Sequence, residues 1–231
     1  MIKMGSSFQK KTVPTLEWET GAGHPRTCVA GTDEVGRGCL AGPVVAAAVV
    51  LPEKICTETH PWIAEVRDSK QLNAATRERL GFEIENWARA FAVAPVSVEE
   101  IDRLNIYHAS HLAMTLAVEQ LPIAVDHILV DGNALPIAFR GRATAIVEGD
   151  SKSIAIACAS ILAKVWRDKE MVRLDAEYPG YGHAAHKGYS TPQHLAALKS
   201  LGATDIHRRT FAPVALALGL TPLGIAIDSQ D

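Results

Sequence analysis

Residues 27–34 and 43–51 carry the two strongest strand patterns in the chain, joined by a short glycine-rich loop. In the second, Val, Ala and Leu run without polar interruption, the pattern of a strand covered on both faces. Asn73 stands where it can cap a helix over about 74–90. FAVAPVSV (91–98) reads as a short strand, and Pro95 assigns it to an edge or an end because proline donates nothing to a ladder. Ile106, Leu112, Leu116 and Leu121 recur at helical spacing over 106–121. HILVDGN (127–133) is a buried strand running into a turn, and RATAIVEG (142–149) a further short strand. Residues 151–178 form a long helix, apolar and small-sided in its first half and charged in its second. Thr191 and Pro192 open another helix to about Leu201, Thr as cap and Pro at the first helical position.

Strands come early and alternate with helices later, which predicts one α/β domain: a mixed central sheet flanked by helices, with a helical C-terminal portion. Residues 1–26 read as a poorly ordered leader, 27–214 as the folded domain and 215–231 as a tail. Of the 231 residues, 48% are apolar and 21% charged, an ordinary balance for a globular chain. No apolar stretch approaches the roughly 20 residues that cross a bilayer, so no membrane role is expected. Cys28, Cys39, Cys56 and Cys158 form no C-x-x-C pair, and a reduced, cytoplasmic setting is expected, with the chain a monomer. The formal net charge of −3 speaks against a uniformly cationic surface. Between Arg140 and Arg209, however, eleven Lys/Arg stand against seven Asp/Glu, an asymmetry that permits a polyanionic partner.

The chemistry concentrates in TDEVGRGCLAGPV (32–44). Asp33 and Glu34 lie at the C-terminal end of the first strand, Asp131 at the end of another, and Asp150 nineteen residues later at the start of the long helix. Strand ends are where sites form in open α/β sheets. Neighbouring strand residues point to opposite faces, so Asp33 and Glu34 address one point only if the strand ends there. Any single acid here also reads as a turn former, and Asp150 as a helix cap. Four clustered carboxylates repel and raise one another's pKa unless a positive charge joins them. Oxygen-only ligands suit hard cations, Mg²⁺ or Mn²⁺, which point to phosphoryl chemistry; two such ions can serve an in-line attack.

Gly36, Gly38 and Ala41 satisfy a loose dinucleotide fingerprint. That motif needs a helix directly after the loop, and here a β-branched strand follows, so a nucleotide-dependent oxidoreductase is set aside. Glycine-loop amides can instead approach a sugar–phosphate chain and a ribose 2′-OH. His183, His186 and His194 suggest zinc, but no cysteine is spaced to join them, and surface histidines near a phosphate backbone are the expectation. Lys164, Arg167, Asp168 and Lys169 read as a solvated helical face, and Tyr178 and Tyr181 as side chains packed down to hold their loop.

Five stretches together resemble the ribonuclease HII (type 2 ribonuclease H) family: GTDEVGRGCLAGPVVAAAVVL, DSKQL, VDGN, EGDSKSIAIACASILAKVWRD and YPGYGHAAHKGYSTPQHL…HRRTFAPV. They run in the family's order from about Gly31 to Val214. The resemblance implies a ribonuclease H-like fold and a metal-dependent endonuclease acting on the RNA strand of RNA–DNA hybrids. It further implies incision 5′ of single ribonucleotides embedded in duplex DNA, leaving 3′-OH and 5′-phosphate ends. Asp33, Glu34, Asp131 and Asp150 match the family's catalytic acids, which hold two Mn²⁺ or Mg²⁺ ions. Gly36, Arg37 and Gly38 match the loop that reads the 2′-OH, and Tyr189 the tyrosine that packs on the neighbouring sugar. Lys70, Lys187, His207, Arg208 and Arg209 fall in motifs expected near the substrate backbone. Cys39 and Cys158 depart from the family's usual proline and alanine.

Overall fold

A computed structural model describes residues 13–220. Eight helices and five strands follow in the order α1 (Glu17–Gly21), β1 (Val29–Val35), β2 (Val44–Val50), α2 (Ala74–Trp87), β3 (Ala90–Val96), α3 (Val98–Leu104), α4 (Ile106–Glu119), β4 (His127–Asp131), β5 (Ala143–Ile146), α5 (Ile154–Glu177), α6 (His183–His186), α7 (Pro192–Leu201) and α8 (Ala212–Ala217). The strands form one mixed sheet in the order β3-β2-β1-β4-β5. β1, β2 and β3 pair antiparallel, whereas β4 runs parallel to β1 and β5 parallel to β4. β3, which carries Pro95, is an edge strand.

Every residue of β2 is buried, because the sheet is covered on both faces. Val44, Ala46, Ala48 and Val50 join Met114, Ala117 and Ile101 in one cluster with α3 and α4. Val45, Ala47 and Val49 join Leu80, Ile84, Ala159 and Leu162 in the other, with α2 and α5. The small side chains of the first half of α5 let it lie close on the sheet. At Gly31 a Cβ would collide with the backbone of Ala155 and with Ile156 N at 2.5 Å, so only glycine permits that approach.

The capping residues act as the pattern predicts. Asn73 Oδ1 accepts from Thr76 N at 2.9 Å, and Thr191 Oγ1 accepts from His194 N at 3.2 Å with Pro192 at the first helical position. α5 begins later than its pattern suggests: Asp150 lies in a 3₁₀ turn (Gly149–Ser151), and Ser153 is the cap, accepting from Ile156 N at 3.2 Å. α3 was not legible as a separate helix, although Ser97 and Glu100 form the start of a capping box. α8 carries the helical portion past Val214 to Ala217.

Of the stretch read as a poorly ordered leader (1–26), residues 13–26 are built into the domain, while residues 1–12 and the part of the tail beyond 220 lie outside the described residues. Glu19 on α1 is buried at the start of α5, where its Oε1 accepts from Ser153 Oγ at 2.7 Å and from Ala155 N at 2.8 Å. A carboxylate at a helix N-terminus satisfies free amide donors and meets the positive end of the helix dipole. Among the described residues no helix is long and apolar enough to cross a membrane.

Candidate active site

The parallel pairing of β1 and β4 assembles the acids. Thr32 registers with Val130, so Asp33 and Asp131 are the next pair along, at the carboxyl end of both strands. The turn after β5 brings Asp150 to the same end, and Gly149 N donates to Asp131 Oδ1 at 2.7 Å. β1 does not end at the acid pair but continues to Val35. Asp33 therefore shares the α5 face with Val35, while Glu34 shares the α4 face with Ala30. The acids feel one another across the strand end without closing tightly. Among the described residues, no three of them bring oxygens within 4.8 Å of each other.

Burial pushes the Asp33 carboxyl well above the usual carboxylate range, reinforced by Glu34, Asp131 and Asp150 and opposed by a hydrogen bond from Ser160. Glu34 is raised by burial and by Asp131, while Arg37, 2.9 Å from its Oε1, pulls it back. Asp150 is pushed up to about 6 by burial, Asp68 and Asp131, with Lys70 opposing. The other oxygen of Glu34, Oε2, is buried without a hydrogen-bond partner. The donor set is therefore oxygen-only, crowded with negative charge and short of positive partners. It fits a hard divalent cation, which lowers the repulsion and supplies a partner to the orphaned oxygen.

Asp68 is a member of this group that sequence reasoning missed. The DSK segment was singled out for Lys70 alone, yet Asp68 contacts Asp150 and accepts from Lys70 N at 2.9 Å. Between them, Ser69 is buried with its Oγ 3.0 Å from Ser160 Oγ on α5, and this pins the segment against the acids. The Lys70 ammonium is exposed at its end. Its pKa is lowered by partial burial but raised overall by Asp68, Asp33, Asp150 and Asp131. Ser160 was also missed, as a hydroxyl in an apparently apolar half-helix. Its signal is the polar row Ser160, Lys164, Arg167 along one face of α5.

The glycine loop lies beside the acids. Gly36 has φ +91°, and a Cβ there would strike the Arg167 guanidinium. Gly38, by contrast, has nothing within 4 Å of a Cβ; its missing side chain leaves open space over the backbone. Arg37 is half exposed, at 51% of its side chain. The loop is stitched to two later segments: Leu40 N donates to Gly188 O at 2.8 Å, and Arg208 N donates to Leu40 O at 2.9 Å. Cys39 bridges to Tyr189 and Ala41 to His207. Tyr189 is 39% exposed, with Lys164 Nζ 5.8 Å from its ring centroid.

Three expectations are corrected here. Arg208 and His207, expected at the substrate backbone, are fully buried. Arg208 donates to Gly42 O at 2.9 and 3.1 Å and to Arg37 O at 2.9 Å. His207 packs among His183, His186 and His194, which are likewise buried and not on the surface. Arg167, assigned to a solvated face, is buried too and donates to Pro43 O (2.9 Å), Lys187 O (2.8 Å) and Ala41 O (3.0 Å). These carbonyls belong to irregular backbone that the strands cannot satisfy, and the two planar guanidiniums serve several each. Lys187 is half-buried beside α5 with Asp168, Lys169 and Arg77. Arg209 is exposed, and its N donates to Asp102 Oδ2 at 2.9 Å. Tyr181 does hold its loop, donating to Gly202 O at 2.8 Å.

The family model described as Ribonuclease HII matches residues 30–214. The chain belongs to the ribonuclease HII family. It is 52% identical over 206 residues to the Ribonuclease HII of Anaeromyxobacter sp. (strain Fw109-5), covering 89% of this chain and 62% of that relative. It is 50% identical over 186 residues to the Ribonuclease HII of Coxiella burnetii (strain Dugway 5J108-111), covering 80% and 89%. The chain thus spans about 62% of the length of the first relative and most of the second. Among solved structures, the ribonuclease H2 of Pyrococcus horikoshii OT3 superposes with a TM-score of 0.68 at 31% identity, over 82% of this chain and 96% of that one. The mixed sheet with helices on both faces is the ribonuclease H-like fold.

Proposed function

We propose that this chain is a metal-dependent endoribonuclease. It cleaves the RNA strand of RNA–DNA hybrids and incises 5′ of single ribonucleotides embedded in duplex DNA, leaving 3′-OH and 5′-phosphate ends. The observation that carries the reading is the placing of Asp33, Glu34, Asp131 and Asp150 at one end of the sheet, beside a glycine loop with open backbone at Gly38. These four acids hold two divalent ions, Mg²⁺ or Mn²⁺. When bound, such ions supply an activated water and charge compensation at the leaving 3′-oxygen.

The chain's own residues do the selecting and positioning. Arg37 holds Glu34 by one nitrogen and keeps half its surface for a polyanion. The open backbone over Gly38 admits a ribose, and amides there can bond its 2′-OH. Discrimination by a site built for one hydroxyl is large, because its polar groups are left unpaired when the hydroxyl is missing. Tyr189 offers an exposed ring to the adjoining sugar. Lys70, whose charge the acids favour, attracts the phosphate to the cluster.

The test is incubation with end-labelled duplex DNA carrying one ribonucleotide, in Mg²⁺, Mn²⁺ or chelator, with the cut mapped at nucleotide resolution. One metal-dependent incision 5′ of the ribonucleotide is expected, abolished in Asp33→Asn. Salt-sensitive binding without cleavage in either metal would make the chain a hybrid-binding module and overturn the reading.

A further inference from the structure

Four buried histidines, His183, His186, His194 and His207, lie behind the Tyr189 loop, and the acid site described above uses none of them. The hydrogen bonds assign the protons. Thr204 N donates to His207 Nδ1 at 3.1 Å, so in the neutral ring the proton sits on Nε2. That Nε2 donates to His194 Nε2 at 3.1 Å, and His194 Nδ1 donates in turn to Tyr189 O at 2.9 Å. His186 is also complete: Gly188 N donates to its Nδ1 at 3.2 Å, and its Nε2 donates to Tyr181 O at 2.8 Å. His183 is the exception. It is fully buried, and neither ring nitrogen has a partner. Polar ring atoms left unpaired in the interior are costly, and such a group calls for a cause.

We propose that His183, His194 and His207 form a binding site for a divalent transition-metal ion of the zinc type. Nitrogens of these three rings lie within 4.8 Å of one another, the one such group of His, Cys, Asp or Glu among the described residues. A tetrahedral ion bound at about 2.0–2.1 Å sets its imidazole nitrogens about 3.3 Å apart and the ring centroids about 5.2 Å apart. The observed His194–His207 nitrogen separation is 3.1 Å, and the centroid separations are 5.2, 5.3 and 5.7 Å. Imidazole nitrogen is the donor that zinc, cobalt and nickel favour over magnesium.

The surroundings supply the remaining parts. Binding moves the His207 proton from Nε2 to Nδ1, where Thr204 Oγ1, 2.8 Å away, accepts it in place of the Thr204 N–H bond. All three rings stay neutral, and no proton leaves. The Tyr189 carbonyl keeps the His194 Nδ1 proton, the outer-sphere bond that orients a metal-bound histidine. Two carboxylates act on the cluster by their charge: Asp175, whose Oδ1 is buried without a partner, on His183, and Asp205 on His207. The ion would tie together α6, α7 and the 204–208 segment, the three pieces that carry Tyr189 and brace the glycine loop. This site is separate from the acid site in donor chemistry and in the cation it selects.

The test uses the full-length chain without a histidine tag, stripped with chelator and re-equilibrated with zinc in excess Mg²⁺. Metal bound per chain is counted by mass spectrometry after gel filtration. One zinc per chain is expected, kept in the Asp33→Asn/Asp150→Asn double variant and lost in His183→Phe, which preserves an apolar ring in that position. Cobalt bound to the wild-type chain should show visible bands of tetrahedral intensity, a readout that requires no variant to fold. Absence of bound zinc in the wild type, its retention in folded His183→Phe, its loss in the acid variant, or an octahedral cobalt spectrum would each overturn the proposal.

Discussion

At the scale of single residues, the two glycines of the G-R-G loop are glycines for different reasons. Gly36 is required by the chain itself, through its positive φ and the guanidinium packed where a Cβ would stand. Gly38 meets nothing within 4 Å, so its requirement comes from whatever approaches from outside. Gly36→Ala should therefore destabilise the fold by about 1–3 kcal/mol. Gly38→Ala should leave the unfolding midpoint unchanged while lowering cleavage at a single ribonucleotide. Denaturant unfolding and single-turnover cleavage of both variants separate the two roles. A midpoint loss in Gly38→Ala as large as that in Gly36→Ala would show that the open space is not free.

At the scale of elements, α5 organises the site. Its apolar half packs on β1 and β2, Ser160 reaches Asp33 and Ser69, and Arg167 holds the backbone of the glycine loop and of Lys187. Arg167 bonds to three carbonyls with three different nitrogens, so lysine is no replacement. Arg167→Lys should cost about 3 kcal/mol in urea unfolding, since charge-assisted bonds are lost and buried carbonyls are left unpaired. It should also lower cleavage more than Lys169→Ala, a change on the exposed side of the same helix. Equal stability of the Arg167→Lys chain would refute the bracing role. The identity of α5 as a long helix was legible from its pattern, as was the apolar face it turns to the sheet. That Arg167 lies inside was not, because helical spacing says which side chains share a face and not what stands opposite them.

At the scale of the molecule, the acid end of the sheet holds charge that the fold tolerates poorly. Asp33, Glu34 and Asp150 bind protons more tightly folded than unfolded, Asp150 with a pKa of about 6. For such a group the stabilising contribution is complete below the unfolded value of about 3.9 and is lost as pH rises through the folded one. In chelator at pH 7, Asp150→Asn should therefore be more stable than the wild type, by on the order of 1 kcal/mol after solvent screening. The gap should vanish toward pH 4. Adding Mg²⁺ should reverse the order, because an ion that binds only the folded wild type stabilises it by mass action. Urea unfolding at several pH values, with and without Mg²⁺, checks both signs. A wild type more stable than the variant in chelator at pH 7 would contradict the proposed crowding of charge.

The five strands, the longer helices α2, α4, α5 and α7, the two-sided burial of β2 and the caps at Asn73 and Thr191 were legible in the sequence alone, and Pro95 confined β3 to an edge or an end. Each depends on residues within a turn or a strand length of one another, and local periodicity records such relations. The tertiary structure decided which polar groups meet. Arg167 finds acceptors 124 and 126 residues away, Arg208 reaches back 171 residues to Arg37, and the histidine of the 207 segment joins His183 and His194 from across two loops. A charged or titratable side chain is exposed, buried, bracing or ligating according to the backbone and rings brought against it. That is a property of how distant segments pack, and spacing along the chain does not contain it.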